Sequence, residues 1–158
     1  MNNYDVLIKN GRVIDPANNV DGRFDVAISG GRIAEVAAGI EGDADEVFDA
    51  DGLIVTPGLV DLHAHVYDKV IPLGIDPDHY CLGRGTTTVV DAGSAGADNF
   101  AGFRAFAIDR CRTRILGFLN ISRMGLACSG LGGDSNRPGE LDLMKFVNME
   151  QLDRAKDK

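Results

Sequence analysis

The chain has 158 residues, 44% hydrophobic and 25% charged, with 16 Lys and Arg against 24 Asp and Glu for a formal net charge of −8. That composition excludes a disordered chain, the length suits a domain with a core of its own, and the acidic balance excludes a nucleic-acid binder or a protein drawn to an anionic membrane. No apolar run reaches the roughly 18 residues of a membrane-spanning helix, and MNNYDVLIKN lacks the basic start and apolar stretch of a signal peptide.

The first 56 residues read as short strands joined by tight turns. YDVLIK is followed by Asn10-Gly11 and RVID, and Asn-Gly between two such runs predicts a hairpin, since both central residues must accept positive φ. The pattern returns as FDVAIS, Gly30-Gly31, RIAEVA, and again as EVFDA, Asp51-Gly52, LIVT. Three hairpins in series predict a β-meander whose glycine pairs carry architecture and not catalysis.

After Thr56-Pro57-Gly58 the character changes. LVDLHAHVY reads as a strand with Val60, Leu62, Ala64 and Val66 on one face and Leu59, Asp61, His63, His65 and Tyr67 on the other. Asp76-Pro77 is a good N-cap and first-turn pair for a short helix through Cys81 and Leu82, which Gly83 and Gly85 end. TTTVVDAG is β-branched and reads as a buried strand. Asp98 is the expected cap of a helix with Phe100, Phe103, Ala107 and Cys111 on one stripe. RILGFLNIS is a further apolar strand. Strand, helix, strand, helix, strand is the order of a parallel α/β sheet or barrel. Residues 123–147 are Gly-rich and read as an irregular loop, and Asn148 with Gln151 resembles a capping box opening a last helix that carries no stop signal.

The constellation with chemical content is His63-Ala64-His65. Histidines at i and i+2 share a strand face and can aim two imidazole nitrogens at one point, which suits zinc or a similar divalent ion. A catalytic zinc centre normally takes three protein ligands and keeps one position open for water. Asp61 and Asp91 are the candidate carboxylates behind the histidines: Asp61 orienting a ring or making a structural hydrogen bond, Asp91 facing the site or capping the turn after its strand. Ser94 and Gly93 lie where a substrate can approach. The sparse, odd set of Cys81, Cys111 and Cys128 suits free thiols in a reducing cytoplasm, and Cys128 has no base partner for nucleophilic chemistry. Gly130 to Gly133 lack the lysine of a phosphate loop.

The string TPGLVDLHAHVY resembles the first barrel strand of the amidohydrolase superfamily, whose hallmark is Pro-Gly, two hydrophobic residues, Asp-x-His-x-His. DVLIKNGRVIDP, ISGGRIAEV and DADGLIVTPG resemble the small β-sandwich domain of its cyclic amidohydrolase and deacetylase branch, and GRGTTTVVDAGSAG resembles its second barrel strand. HAHVY and GTTTVVDAGSAG, with the later LNISRMGLA, point to dihydroorotase-like metallohydrolases of the amidohydrolase/deacetylase kind. The resemblance implies an α/β protein: residues 1–56 as the N-terminal half of a composite β-sandwich domain, and residues 57–158 as the first three βα units of a (β/α)8 TIM-type barrel. It implies a cytoplasmic, metal-dependent hydrolase of amide, cyclic amide or ester bonds in a small-molecule substrate, free or as a homo-oligomer, with one or two divalent ions, zinc first. His63 and His65 take the place of metal ligands in that pattern.

The family's remaining groups are a carboxylated lysine after the fourth strand, histidines on the fifth and sixth, and an aspartate on the eighth that serves as general base. None finds a counterpart here. His79 falls in the helix between the first two barrel strands, and Lys145 comes too early for the bridging lysine. A complete barrel needs about 250 residues. The chain is therefore expected to be an N-terminal portion with no catalytic base of its own. The alternatives are a catalytically silent remnant, or a subunit whose missing strands come from a second polypeptide.

Overall fold

The first strand runs straight through Asn10-Gly11. In the computed structural model, which describes residues 3–128 together with residues 150 and 153, β1 spans Asn3–Asp15. The expected hairpin is a β-bulge instead. Against β2 (Val20–Ser29), Ile8 pairs with Val26 and Gly11 with Phe24, so β1 holds one residue too many. Asn10 takes the extra position at φ 64°, a conformation asparagine tolerates, and its N–H leaves the ladder to reach Asp25 Oδ1 at 2.7 Å. Glycine follows because a Cβ on Gly11 would lie 2.6 Å from Val55 Cγ2. The actual turn between β1 and β2 is a 3-10 turn at Pro16–Asn18, capped by the Asp15 carboxylate and closed by Asn19 at φ 55°.

Gly30-Gly31 does form its hairpin. Both glycines have positive φ, and Ser29 pairs with Arg32 at the start of β3 (Arg32–Ala37), as a two-residue primed turn requires. Asp51-Gly52 does not. β4 (Asp43–Asp49) and β5 (Ile54–Val55) both run parallel to β1 on the same edge. The turn steps the chain past the bulge: Ala50 N–H donates to the Lys9 carbonyl before it, and Arg12 N–H to the Leu53 carbonyl after it. The expected meander is thus a mixed sheet of order β3-β2-β1-β4, with β5 also on β1. The strands of residues 3–57 form this one sheet. Its core is Tyr4, Leu7, Ala27 and Ile40.

Chain contacts divide the molecule into two compact units, Met1–Pro57 and Gly58–Lys158. In the second, β6 (Leu59–Ala64), β7 (Thr86–Asp91) and β8 (Arg114–Gly117) form a parallel sheet in chain order. β8 is four residues long, shorter than RILGFLNIS suggested. α1 (Pro77–Tyr80) leads into β7, with Asp76 accepting from the N–H groups of Asp78 and His79, as the Asp-Pro pair predicts. α2 (Phe100–Phe103) continues as a π-helical turn over Arg104–Ile108 and leads into β8. Phe103 and Ala107 are buried and Phe100 and Cys111 partly so, which is the stripe read from the sequence. Its cap differs: Asn99 holds the N-cap position, while the Asp98 carboxylate pairs with Arg123 at 2.7 Å. Val89 and Ile115 are register partners on β7 and β8 and close the core beneath α2. The chain is a mixed α/β protein in which strands predominate.

Of the loop expected over 123–147, residues 129–147 lie outside the described residues, and so does most of the last helix, of which Glu150 and Asp153 are described and helical. Among the described residues no helix is long and apolar enough to cross a membrane.

Asp25 is the polar centre of the first unit. Burial alone pushes its carboxyl up, but the N–H groups of Asn10 and Ile40 and the Lys9 ammonium hold the anion and bring it below the usual carboxylate range. The unfolded chain therefore takes up this proton first as pH falls, so the stabilisation is full above about pH 4 and is lost as pH drops through the folded value. Asp25→Asn is expected to lower stability at pH 7 by about 1.5–3 kcal/mol. Its deficit against the parent should narrow in urea titrations between pH 4 and 3. A deficit constant over that range would contradict the assignment.

Candidate metal centre

Alternation along LVDLHAHVY fails midway, and the failure makes the site. The β6–β7 register slips between Asp61 and Ala64. There the His63 N–H donates to the Asp61 carboxylate, Oδ1 at 3.0 Å, in place of a strand partner. Val60 ahead of the slip and Leu62 within it are exposed; after it, Ala64, Val66 and Tyr67 are all buried. His65 thus stands just past the end of β6, half-buried, while His63 is exposed. The two imidazoles meet edge to face with centroids 5.4 Å apart and planes at 88°.

The ground beneath His65 is fixed by Asp91, the last residue of β7, fully buried. One carboxylate oxygen accepts the Val66 N–H at 2.8 Å and the other the Ser94 N–H at 2.6 Å. It therefore clips the residue after His65 to the turn after β7. Gly93 makes that turn at φ 87°. Ser94, also fully buried, sets its Oγ 3.1 Å from His65 Nδ1. Asn120, beyond β8, buttresses the turn by donating from Nδ2 to the Gly93 carbonyl at 2.9 Å.

The sequence placed Asp61 and Asp91 behind the histidines. Asp61 bonds the backbone of His63 and Asp91 the backbone on either side of the His65–Ser94 contact; neither carboxylate bonds an imidazole. Ser94, read from sequence as lying where a substrate can approach, touches the His65 ring. The legible signal for it was Asp followed three positions on by Ser across a glycine, the pattern of a carboxylate-capped turn. His79 is exposed on α1 with its ring edge on Tyr80, and Lys145 lies outside the described residues. Among the described residues no group of three or more His, Cys, Asp or Glu is placed to hold a metal ion. Thiolate chemistry finds no support nearby: burial, then the charge of Asp61, pushes the Cys81 thiol up, and burial with Asp78 and Asp76 does the same at Cys111.

No protein-family model matches the chain. It is 42% identical over 105 residues to a deacetylase of Agrobacterium fabrum, an alignment covering 66% of this chain and 24% of that protein. Its structure is similar to the crystal structure of a dihydroorotase, with TM-score 0.82 and 33% identity over 96% of this chain and 39% of that one. It is likewise similar to an adenine deaminase, with TM-score 0.76 and 32% identity over 98% of this chain and 38% of that one. The chain spans about a quarter of the length of the curated deacetylases it matches. Sequence and structure relatives agree with the resemblance carried by the Pro-Gly to His-x-His string, and the chain belongs to the amidohydrolase superfamily, matching the N-terminal part of its members.

Proposed function

We propose that His63 and His65 are two ligands of a divalent metal ion, zinc by preference, in a hydrolase acting on amide, cyclic amide or ester bonds of a small molecule in the cytoplasm, deacetylase- or dihydroorotase-like. β6, β7 and β8 are then three neighbouring staves of a (β/α)8 barrel, whose chemistry sits at the strand C-termini. The observation that carries this reading is the imidazole pair at the C-terminal end of β6. Two rings bound through nitrogens about 2.0–2.1 Å from one tetrahedral ion have centroids about 5 Å apart. The 5.4 Å centroid spacing of His63 and His65 is close to that requirement.

When bound, such an ion supplies Lewis acidity toward a carbonyl and toward water. The rest is done by the chain's own residues. Asp91 holds the backbone so that the two strand ends cannot drift apart. Asp61 holds the His63 N–H at the slip in the β6–β7 register. A second reading is favoured by the absence of a third donor among the described residues: this chain by itself holds the ion weakly and turns nothing over, and a complete site needs donors from elsewhere.

Two outcomes test the metal site. Zinc titrated into the 158-residue chain by calorimetry should bind one ion per chain, at least tenfold more weakly in His63→Ala and in His65→Ala, and unchanged in His79→Ala. Binding indifferent to the first two substitutions would remove the metal reading. With zinc present the chain should show no turnover of N-acetyl amino acids or dihydroorotate; turnover abolished by His63→Ala would keep the hydrolase and overturn the second reading.

The roles of the two carboxylates separate by stability. Asp91→Ala strands two buried N–H groups and should cost about 3–5 kcal/mol in urea unfolding, from two bonds to a charged acceptor. Asp61→Ala breaks one exposed bond and should cost less than about 1 kcal/mol. Equal costs would contradict this division of roles.

A further inference from the structure

The two histidines are not held alike. Among the described residues the ring of His63 touches His65 and makes no hydrogen bond to a side chain, whereas His65 has a partner fixed from three directions. Ser94 is fully buried. Its N–H is bound to Asp91 Oδ1 at 2.6 Å, its carbonyl accepts the Leu126 N–H at 3.1 Å, and its Oγ lies 3.1 Å from His65 Nδ1. The backbone of His65 is fixed as well: its carbonyl accepts the Ile75 N–H at 3.0 Å, and the next residue, Val66, donates to Asp91.

We infer that Ser94 is a positioning residue that locks His65 in the Nδ1-protonated tautomer, so that Nε2 is the only nitrogen of this ring open to a metal. The inference rests on the metal reading above and deepens it. A neutral imidazole has one protonated nitrogen and one lone pair. With the serine hydroxyl against Nδ1, that nitrogen is blocked from an ion, and Nε2 can ligate only if the proton sits on Nδ1. A hydroxyl can donate to Nδ1 or accept from it, and ligation through Nε2 requires that Ser94 Oγ accepts. A free imidazole in water favours the opposite tautomer, so Ser94 has to reverse an intrinsic preference, and the reversal can be measured without any metal present. A residue that merely packed against His65 would leave the tautomer alone.

The test uses the full 158-residue chain labelled with 15N-histidine, whose three imidazoles are His63, His65 and His79. Long-range 1H–15N spectra at alkaline pH should show His65 protonated at Nδ1. Added zinc should move His65 Nε2 and leave Nδ1 protonated. Ser94→Ala keeps the backbone bond to Asp91. It should shift His65 toward the Nε2-protonated form and weaken zinc binding about 10- to 100-fold, with the far-UV spectrum and the His79 signals unchanged. A wild-type His65 protonated at Nε2 overturns the inference, and needs no variant to be seen. So does a Ser94→Ala chain with unaltered tautomer and zinc affinity. Zinc that perturbs neither His63 nor His65 overturns the metal reading and the ligand assignment with it, while the metal-free spectrum decides separately whether Ser94 sets the tautomer.

Discussion

A buried carboxylate has to be compensated where it stands. Asp91 has no ion-pair partner among the described residues; its charge is met by the backbone N–H groups of Val66 and Ser94. Those two donors belong to segments that leave the sheet from the ends of adjacent strands. The parallel ladder continues into the same corner, with Ala92 N–H on the Ala64 carbonyl and Phe118 N–H on the Asp91 carbonyl. One side chain thus sets the separation of the two loops that carry His65 and its partner. Phe103 of α2, Val89 of β7 and Ile115 of β8 are buried in one core cluster with Val66.

The first unit shows how far a dipeptide can be read. Gly30-Gly31 and Asn10-Gly11 both supply a residue at positive φ, and only the first reverses the chain. The backbone conformation is the same local fact in both places. What it leads to depends on Asp25, fifteen residues away, which takes the N–H of Asn10, and on Val55, which packs where a Gly11 side chain would be. Neither partner is visible in a window around the turn. Asp51-Gly52 failed as a hairpin signal for the same reason: the partner of β4 and β5 is β1, not each other. The meander inferred from turns gave way to a sheet in which β4 and β5 run parallel to β1.

In the second unit the periodic signals were legible because their causes are local. Asp76-Pro77 caps α1 through bonds two and three residues ahead, and the α2 stripe is a spacing on one helix. Asp98 was misjudged as a cap because Arg123, distant in sequence, takes its carboxylate. The His-x-His pair was legible as a pair of ligand-type side chains on one face. The slip at Asp61 that carries His65 out of the strand was not, since alternation assumes an unbroken ladder. Nor was the role of Ser94, which exists only through the register of β6 with β7.

The slip also divides the labour between the two rings. Val60 ahead of it and Leu62 within it are 58% and 72% exposed; on its far side Val66 has no exposed surface at all. Parallel strands are normally covered on both faces, so the beginning of β6 is held by its ladder and the end by its packing. His63 sits at the boundary, fixed through its own N–H; His65 sits inside the packed part, fixed at carbonyl, ring and following amide. Two imidazoles from one strand therefore differ in stiffness by construction. Rotamer freedom lost on capturing an ion is a cost to binding, and the His65 ring already has a hydrogen-bond partner in the fold. On the proposal that this pair holds an ion, His63 is the ring left to adjust and His65 the ring held in place by the buried turn at Asp91 and Ser94.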